Sequence, residues 1–255
     1  VGIGICGVAA GIGVFRGILS STPTIRLSDV VAVGEATIVY DKEGNEIDQY
    51  VSTNSNRLSV GMDEIPDYLG KAFVAIEDER FYQHNGIDVK GILRAGYQFI
   101  KTGGEEAQGA STITQQLLKN TVFTDWTSEG NNKIKKIKRK IQEQYLALEI
   151  TKYYSKDEIL LRYMNAINLG QNTLGVESAS LRYFGKHCSD LTISECAVIA
   201  SITQNPSKYN PIRHPEENAK RRETCLNKML ELGFISQAQY DEAMADTDAV
   251  YERIG

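Results

Sequence analysis

The chain has 255 residues, 42% of them hydrophobic and 24% charged, with a formal net charge of −5. That length buries a real core and fits one large domain or two small lobes, and the composition is ordinary for a globular protein. The acidic balance, with no aromatic-interleaved basic stripe, excludes a general nucleic-acid binder.

The N-terminus comes first. Residues 1–15 carry no charge, and Arg16 ends the run. As a helix this run covers about 22 Å, short of a hydrocarbon core of about 30 Å. No initiator Met and no basic flank precede it, and no Ala-x-Ala site follows. It is therefore expected to be part of a longer membrane segment rather than a signal-peptide core. Gly7/Gly11 and Gly13/Gly17 have the four-residue spacing that suits close helix packing in lipid. Residues 1–19 are read as a partial transmembrane anchor and 20–60 as linker plus a hairpin, with 37–40 and 46–48 flanking a Gly44-Asn45 turn.

Helical signals dominate from residue 61. Pro66 suits a first helical position, and Leu69, Phe73 and Ile76 lead into Glu77 with 4-3 spacing. Ser111 is expected to cap a helix over 112–119. Ser155/Glu158 and Thr192/Glu195 match the capping box, and Ser236/Gln239 does so more loosely. Gly170 and Gly185 read as stops. The soluble part is therefore mainly α with one small hairpin. Cys6, Cys188, Cys196 and Cys225 show no Cys-x-x-Cys pairing and no His at ligand spacing, which argues against zinc and for small buried hydrophobes.

Three segments carry chemistry. In the first, Glu77, Asp78 and Glu79 are adjacent and should raise one another's pKa. The apolar run before Glu77 should partly desolvate it and favour it as a base. His84 reads as an orienting hydrogen-bonder more than a second acid/base group. In the second, Thr112, Gln116 and Lys119 fall at i, i+4 and i+7 and place a hydroxyl, an amide and an ammonium in line, suited to sugar and phosphate oxygens. Alone, an ordinary surface stripe looks the same. The third lies in a dense cationic block, residues 131–140, which holds six cations and no acid. Ile134, Ile137, Ile141, Tyr145 and Leu148 form one apolar stripe, expected to face the core. Glu143 then lies on the opposite, outward face with Lys136, Arg139 and Lys140. A salt-bridge ladder would be worth only about 0.3–0.5 kcal/mol per pair. Surplus positive charge fits a diphosphate better than self-neutralisation.

In this order, the residues closely resemble the peptidoglycan glycosyltransferase domain of class A penicillin-binding proteins and their monofunctional relatives, the family 51 glycosyltransferases. The pattern Glu-Asp-x-x-Phe-x-x-His-x-Gly is met by Glu77, Asp78, Phe81, His84 and Gly86. Gly-x-Ser-Thr-(Ile/Leu)-Thr-Gln-Gln-Leu-x-Lys-Asn is met across 109–120, including Ser111, Thr112, Gln116, Lys119 and Asn120. Arg-Lys-x-x-Glu is Arg139, Lys140 and Glu143. A fourth pattern runs over 156–170 and a fifth over 175–186. Asn168 departs from a common aromatic, and Ser178 and Ser180 from the usual alanines.

The resemblance implies a lysozyme-like helical domain over 61–245. It also implies a small membrane-proximal jaw lobe at roughly 87–135 and, at 246–255, the start of a linker to a downstream domain. It implies lipid II and a lipid-linked glycan chain as substrates, and a single-pass membrane protein with its catalytic domain outside the cytoplasm. Moenomycin-type inhibitors are implied as ligands. Glu77 is implied as the base and Glu143 as the second catalytic carboxylate. Asp78, Phe81, His84, Ser111, Thr112, Gln116, Lys119, Asn120, Arg139 and Lys140 are implied as substrate-binding. Mg²⁺ or Mn²⁺ is plausible against a diphosphate, and no organic cofactor is implied. Phe123 and Trp126 suit either the headgroup level or the local core. A lytic enzyme on the same scaffold would also use a glutamate but would not need Arg139, Lys140 and Glu143. A non-catalytic membrane scaffold would need neither glutamate.

Overall fold

The structure is a computed structural model. It describes residues 13–25, 30, 37–40, 46–50, 57–102 and 109–255. Residues 1–12, with Cys6 and Gly7/Gly11, and the Gly44-Asn45 turn lie outside the described residues. Residues 13–20 are helical (α1). No helix among the described residues is long and apolar enough to cross a membrane. Strands β1 (Thr37–Tyr40) and β2 (Glu46–Tyr50) pair antiparallel, Thr37 opposite Tyr50, with an irregularity at Val39/Tyr40.

The rest is helical: α2 (Asp67–Glu77), α3 (Val89–Lys101), α4 (Ile113–Thr121), α5 (Lys133–Ile150), α6 (Lys156–Ala166), α7 (Val176–Phe184), α8 (Ile193–Ser201), α9 (Pro215–Glu231), α10 (Gln237–Ala245) and α11 (Thr247–Glu252). The molecule is mainly α. Helix starts follow local chemistry. Ser155, Thr192 and Ser236 each accept from the backbone three residues on, and Glu158, Glu195 and Gln239 reach back in return. At α4 the cap is Thr112 rather than Ser111, with Gln115 completing its box. Pro66 is the N-cap of α2, one position earlier than the sequence suggested.

Helix α8 is buried along its length and packs against α2 and α9, while α4 packs against α5 and α6. Leu69 and Phe73 of α2, Leu117 of α4 and Tyr163 of α6 meet in the core. The Phe73 and Tyr163 rings stand edge to face at 5.7 Å. Cys188, Cys196 and Cys225 are buried free thiols. Ser178 and Ser180 answer to local need: the Ser178 hydroxyl accepts from the Leu58 amide (3.0 Å) and Ser180 donates to the Lys186 carbonyl (2.7 Å). Alanine would supply neither bond.

Helix α5 reverses the expected orientation. Ile134 is 80% and Ile137 59% exposed, with Tyr145 and Leu148 also exposed. The inward face is Arg139, Gln142, Glu143, Leu146, Ala147 and Ile150. Lys136 is exposed and does not join the group around Glu143. The period groups residues onto a face correctly, but it does not say which face is covered. Buried charges on the inner face are tolerated because they satisfy one another.

Candidate active site

Glu77 is the last residue of α2. The helix ends there because Asp78 leaves the helical conformation (φ −157°, ψ 70°). Asp78 thereby turns away from Glu77 and accepts from the Ile113 amide at the start of α4 (3.0 Å). His84 holds Asp78 through Nε2, at 2.9 and 3.0 Å from its two oxygens, while His84 Nδ1 accepts from the Gly86 amide (3.2 Å). That pairing places the imidazole proton on Nε2. Gly86 has φ +92°, and a Cβ there would strike the Ala147 carbonyl of α5. Its own carbonyl accepts from Thr112 Oγ1 (2.7 Å). Phe81 is fully buried, with the Lys156 ammonium 4.4 Å from its ring centroid. Asp78, Phe81, His84 and Thr112 thus form the frame that fixes the α2 end against α4.

Inside this frame the Glu77 carboxylate faces a cleft of about 420 Å³ that Asp78, Ser111, Thr112 and Gln116 also line. Gln116 Nε2 donates to Glu77 Oε2 (2.9 Å), and the buried Tyr163 hydroxyl donates to Gln116 Oε1 (3.2 Å), so the amide is held in one sense. Glu77 Oε1 accepts from Thr203 Oγ1 (2.5 Å) and Arg221 (3.0 Å). The Tyr163 hydroxyl is pushed well above its ordinary pKa by burial, then by the Glu77 and Asp78 carboxylates.

Mutual elevation of the three adjacent acids does not hold for Glu79. Burial acts to raise its carboxyl, but hydrogen bonds and charge from Lys228 and Arg94 outweigh it and hold the pKa at about 2, against an ordinary 4.5. Arg80 also donates to Glu79 (2.6 Å). A depressed folded-state pKa contributes stability above the unfolded value that is lost as pH falls through the folded one. Urea titrations between pH 4.5 and 2 should therefore show wild-type stability falling more steeply than that of Glu79→Gln. Parallel curves would contradict the assigned pairing.

The second cluster surrounds Glu143, which is 0% exposed. One carboxylate oxygen accepts from Arg139 and the other from Lys140 (2.8 Å). Arg139 also donates to Glu129 (2.9 Å), and Lys140 to Ser111 Oγ (3.0 Å). Ser111 lines the Glu77 cleft, so Lys140 ties the two clusters together. Lys119 projects from α4 with its ammonium 3.7 Å from the Trp126 ring centroid. Its pKa is lowered by burial first and then by Lys140 and Arg139, with Glu143 and Glu129 opposing. The cations outnumber the acids here and one of them feels it, an arrangement able to bind an anion. Asn120 is half-buried in the last turn of α4. Phe123 packs on the core edge, and Trp126 covers Lys119.

The donors around Glu143 do not fit a divalent cation. Both carboxylate oxygens are engaged by cationic side chains, and no group of three or more His, Cys, Asp or Glu among the described residues could hold a metal. Sequence reasoning did not find Glu129, Tyr163, Thr203 or Arg221. Thr203 and Arg221 reach Glu77 through tertiary packing and sit in none of the five patterns, while Tyr163 falls within the fourth pattern with nothing local to mark its role.

Fold and site together define a helical domain in which a helix-end carboxylate lines a cleft with Ser111, and Ser111 is hydrogen-bonded to an under-neutralised cation cluster behind it. Residues 43–230 match the family described as Transglycosylase, and the chain belongs to it. It is 42% identical over 253 residues to penicillin-binding protein 1A of Clostridium botulinum (strain Langeland), a match covering 96% of this chain and 29% of that protein. It is 42% identical over 239 residues to penicillin-binding protein 1A of Clostridium perfringens (strain 13), covering 91% and 34%. To penicillin-binding protein 1F of Bacillus subtilis it is 41% identical over 209 residues, covering 82% and 28%. The chain thus spans about a third or less of these relatives. A crystal structure of penicillin-binding protein 1A from Haemophilus influenzae superposes at TM-score 0.43 and 23% identity, covering 84% of this chain and 21% of that one.

Proposed function

We propose that this domain is an inverting, membrane-associated peptidoglycan glycosyltransferase that polymerises lipid II into β-1,4 glycan strands and releases undecaprenyl diphosphate. Glu77 takes the proton of the acceptor sugar's 4-hydroxyl. That oxygen forms a bond to the donor's anomeric carbon as the bond to diphosphate breaks. The departing charge falls on Lys119, Arg139 and Lys140, which are already desolvated or held in place and so need little reorganisation. Glu143 orients the last two. The observation that carries this reading is that Glu77, Gln116 and Ser111 line one cleft, with Gln116 bonded to Glu77 and Ser111 bonded to Lys140, which pairs with Glu143. A lytic enzyme, whose leaving group is a sugar hydroxyl, has no use for the cation cluster.

Two exposed apolar faces support a bilayer setting: Val89, Leu93, Tyr97 and Ile100 on α3, and Ile134, Ile137, Tyr145 and Leu148 on α5. Unpartnered stripes of this size mark contact surfaces. Incubation with lipid II in vesicles should yield long glycan strands, and Ile134→Asp/Ile137→Asp should weaken vesicle binding and slow polymerisation there more than in detergent. Cleavage of preformed strands, or no turnover, would overturn the reading.

A further inference from the structure

Glu77 sits where its charge is least welcome. It is at the C-terminal end of α2, whose dipole opposes a carboxylate, and beside Asp78 and Glu79. Asp78 is committed to His84 and the α4 amide, and Glu79 to Arg80, Arg94 and Lys228. Among the described residues the one ion pair made by Glu77 is with Arg221 of α9. The other groups facing it are neutral: Gln116 from α4, Tyr163 from α6, Thr203 after α8, and the Cys225 thiol of α9, whose pKa is raised by burial first, with Arg221 opposing and Glu77 adding to it.

Resting on the glycosyltransferase reading above, we propose that Arg221 and Thr203 are positioning residues that hold Glu77 through its Oε1 and direct its Oε2 at the acceptor hydroxyl. Both donate to Oε1, whereas Oε2 receives one donor, the Gln116 amide, and keeps its second lone pair on a side chain that lines the cleft. Oε1 is thus saturated, and the acceptor proton goes to Oε2. Arg221 Nε is itself buried with no hydrogen-bond partner, and the guanidinium lies 5.2 Å from the Tyr209 ring centroid. A buried donor left unmatched costs stability, so the single bond to Glu77 is better explained by function than by folding. Thr203 has one hydroxyl proton and two acceptors, Glu77 Oε1 and the Ala200 carbonyl (2.9 Å). The carboxylate takes it while charged.

The test is the pH dependence of initial lipid II polymerisation in wild type, Arg221→Met, Arg221→Lys, Thr203→Val and Glu77→Gln. Removing the cation should move the acid limb upward by about one pH unit, so that the rate at the midpoint of the wild-type limb falls about five-fold and recovers at higher pH. Arg221→Lys, which keeps a point charge, should restore most of the shift. Thr203→Val should move the limb the same way by less, and it carries the test if Arg221→Met does not fold. A uniform rate loss with the limb unmoved in every folded variant would reduce Arg221 and Thr203 to structural roles. If Glu77→Gln polymerised at the wild-type rate, the parent reading would fall instead.

Discussion

Glu77→Gln is expected to lower lipid II polymerisation by about 10²–10⁴-fold, the range attributable to one positioned acid/base group. The substitution keeps shape and most hydrogen bonding. The new amide oxygen can accept from Arg221 and Thr203 as Oε1 does now. Gln116 can turn its amide so that its oxygen meets the new NH₂, and the Tyr163 hydroxyl then accepts instead of donating. The fold should therefore survive, and loss of rate will report chemistry rather than collapse. What the amide lacks is a lone pair basic enough to take the acceptor proton. Strand length measured by gel against fluorescent lipid II, with circular dichroism as the control, separates the outcomes. A folded variant that polymerised normally would mean that Glu77 is not the base.

Much of the site is legible in the sequence because it is local. Thr112 and Gln115, or Thr192 and Glu195, meet within one helical turn, so cap chemistry marks where α4 and α8 begin. Asp78 and His84 are six residues apart across one tight loop, which explains why a run of acids and aromatics could be read as a unit. The partners of Glu77 Oε1 could not be read this way. Thr203 is 126 residues away and Arg221 144, and both arrive because α8 and α9 pack on α2. Arg221 looks in the sequence like any cation of a Lys-Arg-Arg run on an exposed helix. Helix α5 illustrates the other limit. Periodicity identified its apolar stripe, and ordinary burial logic turned that stripe inward. The covered face is instead the one holding Glu143, whose desolvation is met by Arg139, Lys140 and, through Arg139, Glu129.

That arrangement makes Glu143→Gln the change with the largest expected effect on stability. Removing one member of a buried pair leaves an uncompensated charge, typically worth 3–5 kcal/mol. About 3 kcal/mol is expected here, because the Lys140 side chain is 41% exposed and can turn to water while Arg139 keeps Glu129. For a domain of this size that is a fall of roughly 6–12 °C in melting temperature. Polymerisation should fall on the order of 10²-fold, since Arg139 and Lys140 lose the group that aims them. The same loss makes the cluster more cationic, so inorganic diphosphate should bind the variant and return part of the lost stability in a concentration-dependent way. Differential scanning calorimetry with and without diphosphate reads both effects. A melting temperature equal to that of the wild type would mean that the buried pair contributes no net stability. Destabilisation without any response to diphosphate would leave Glu143 a structural residue and remove the cation cluster from the mechanism.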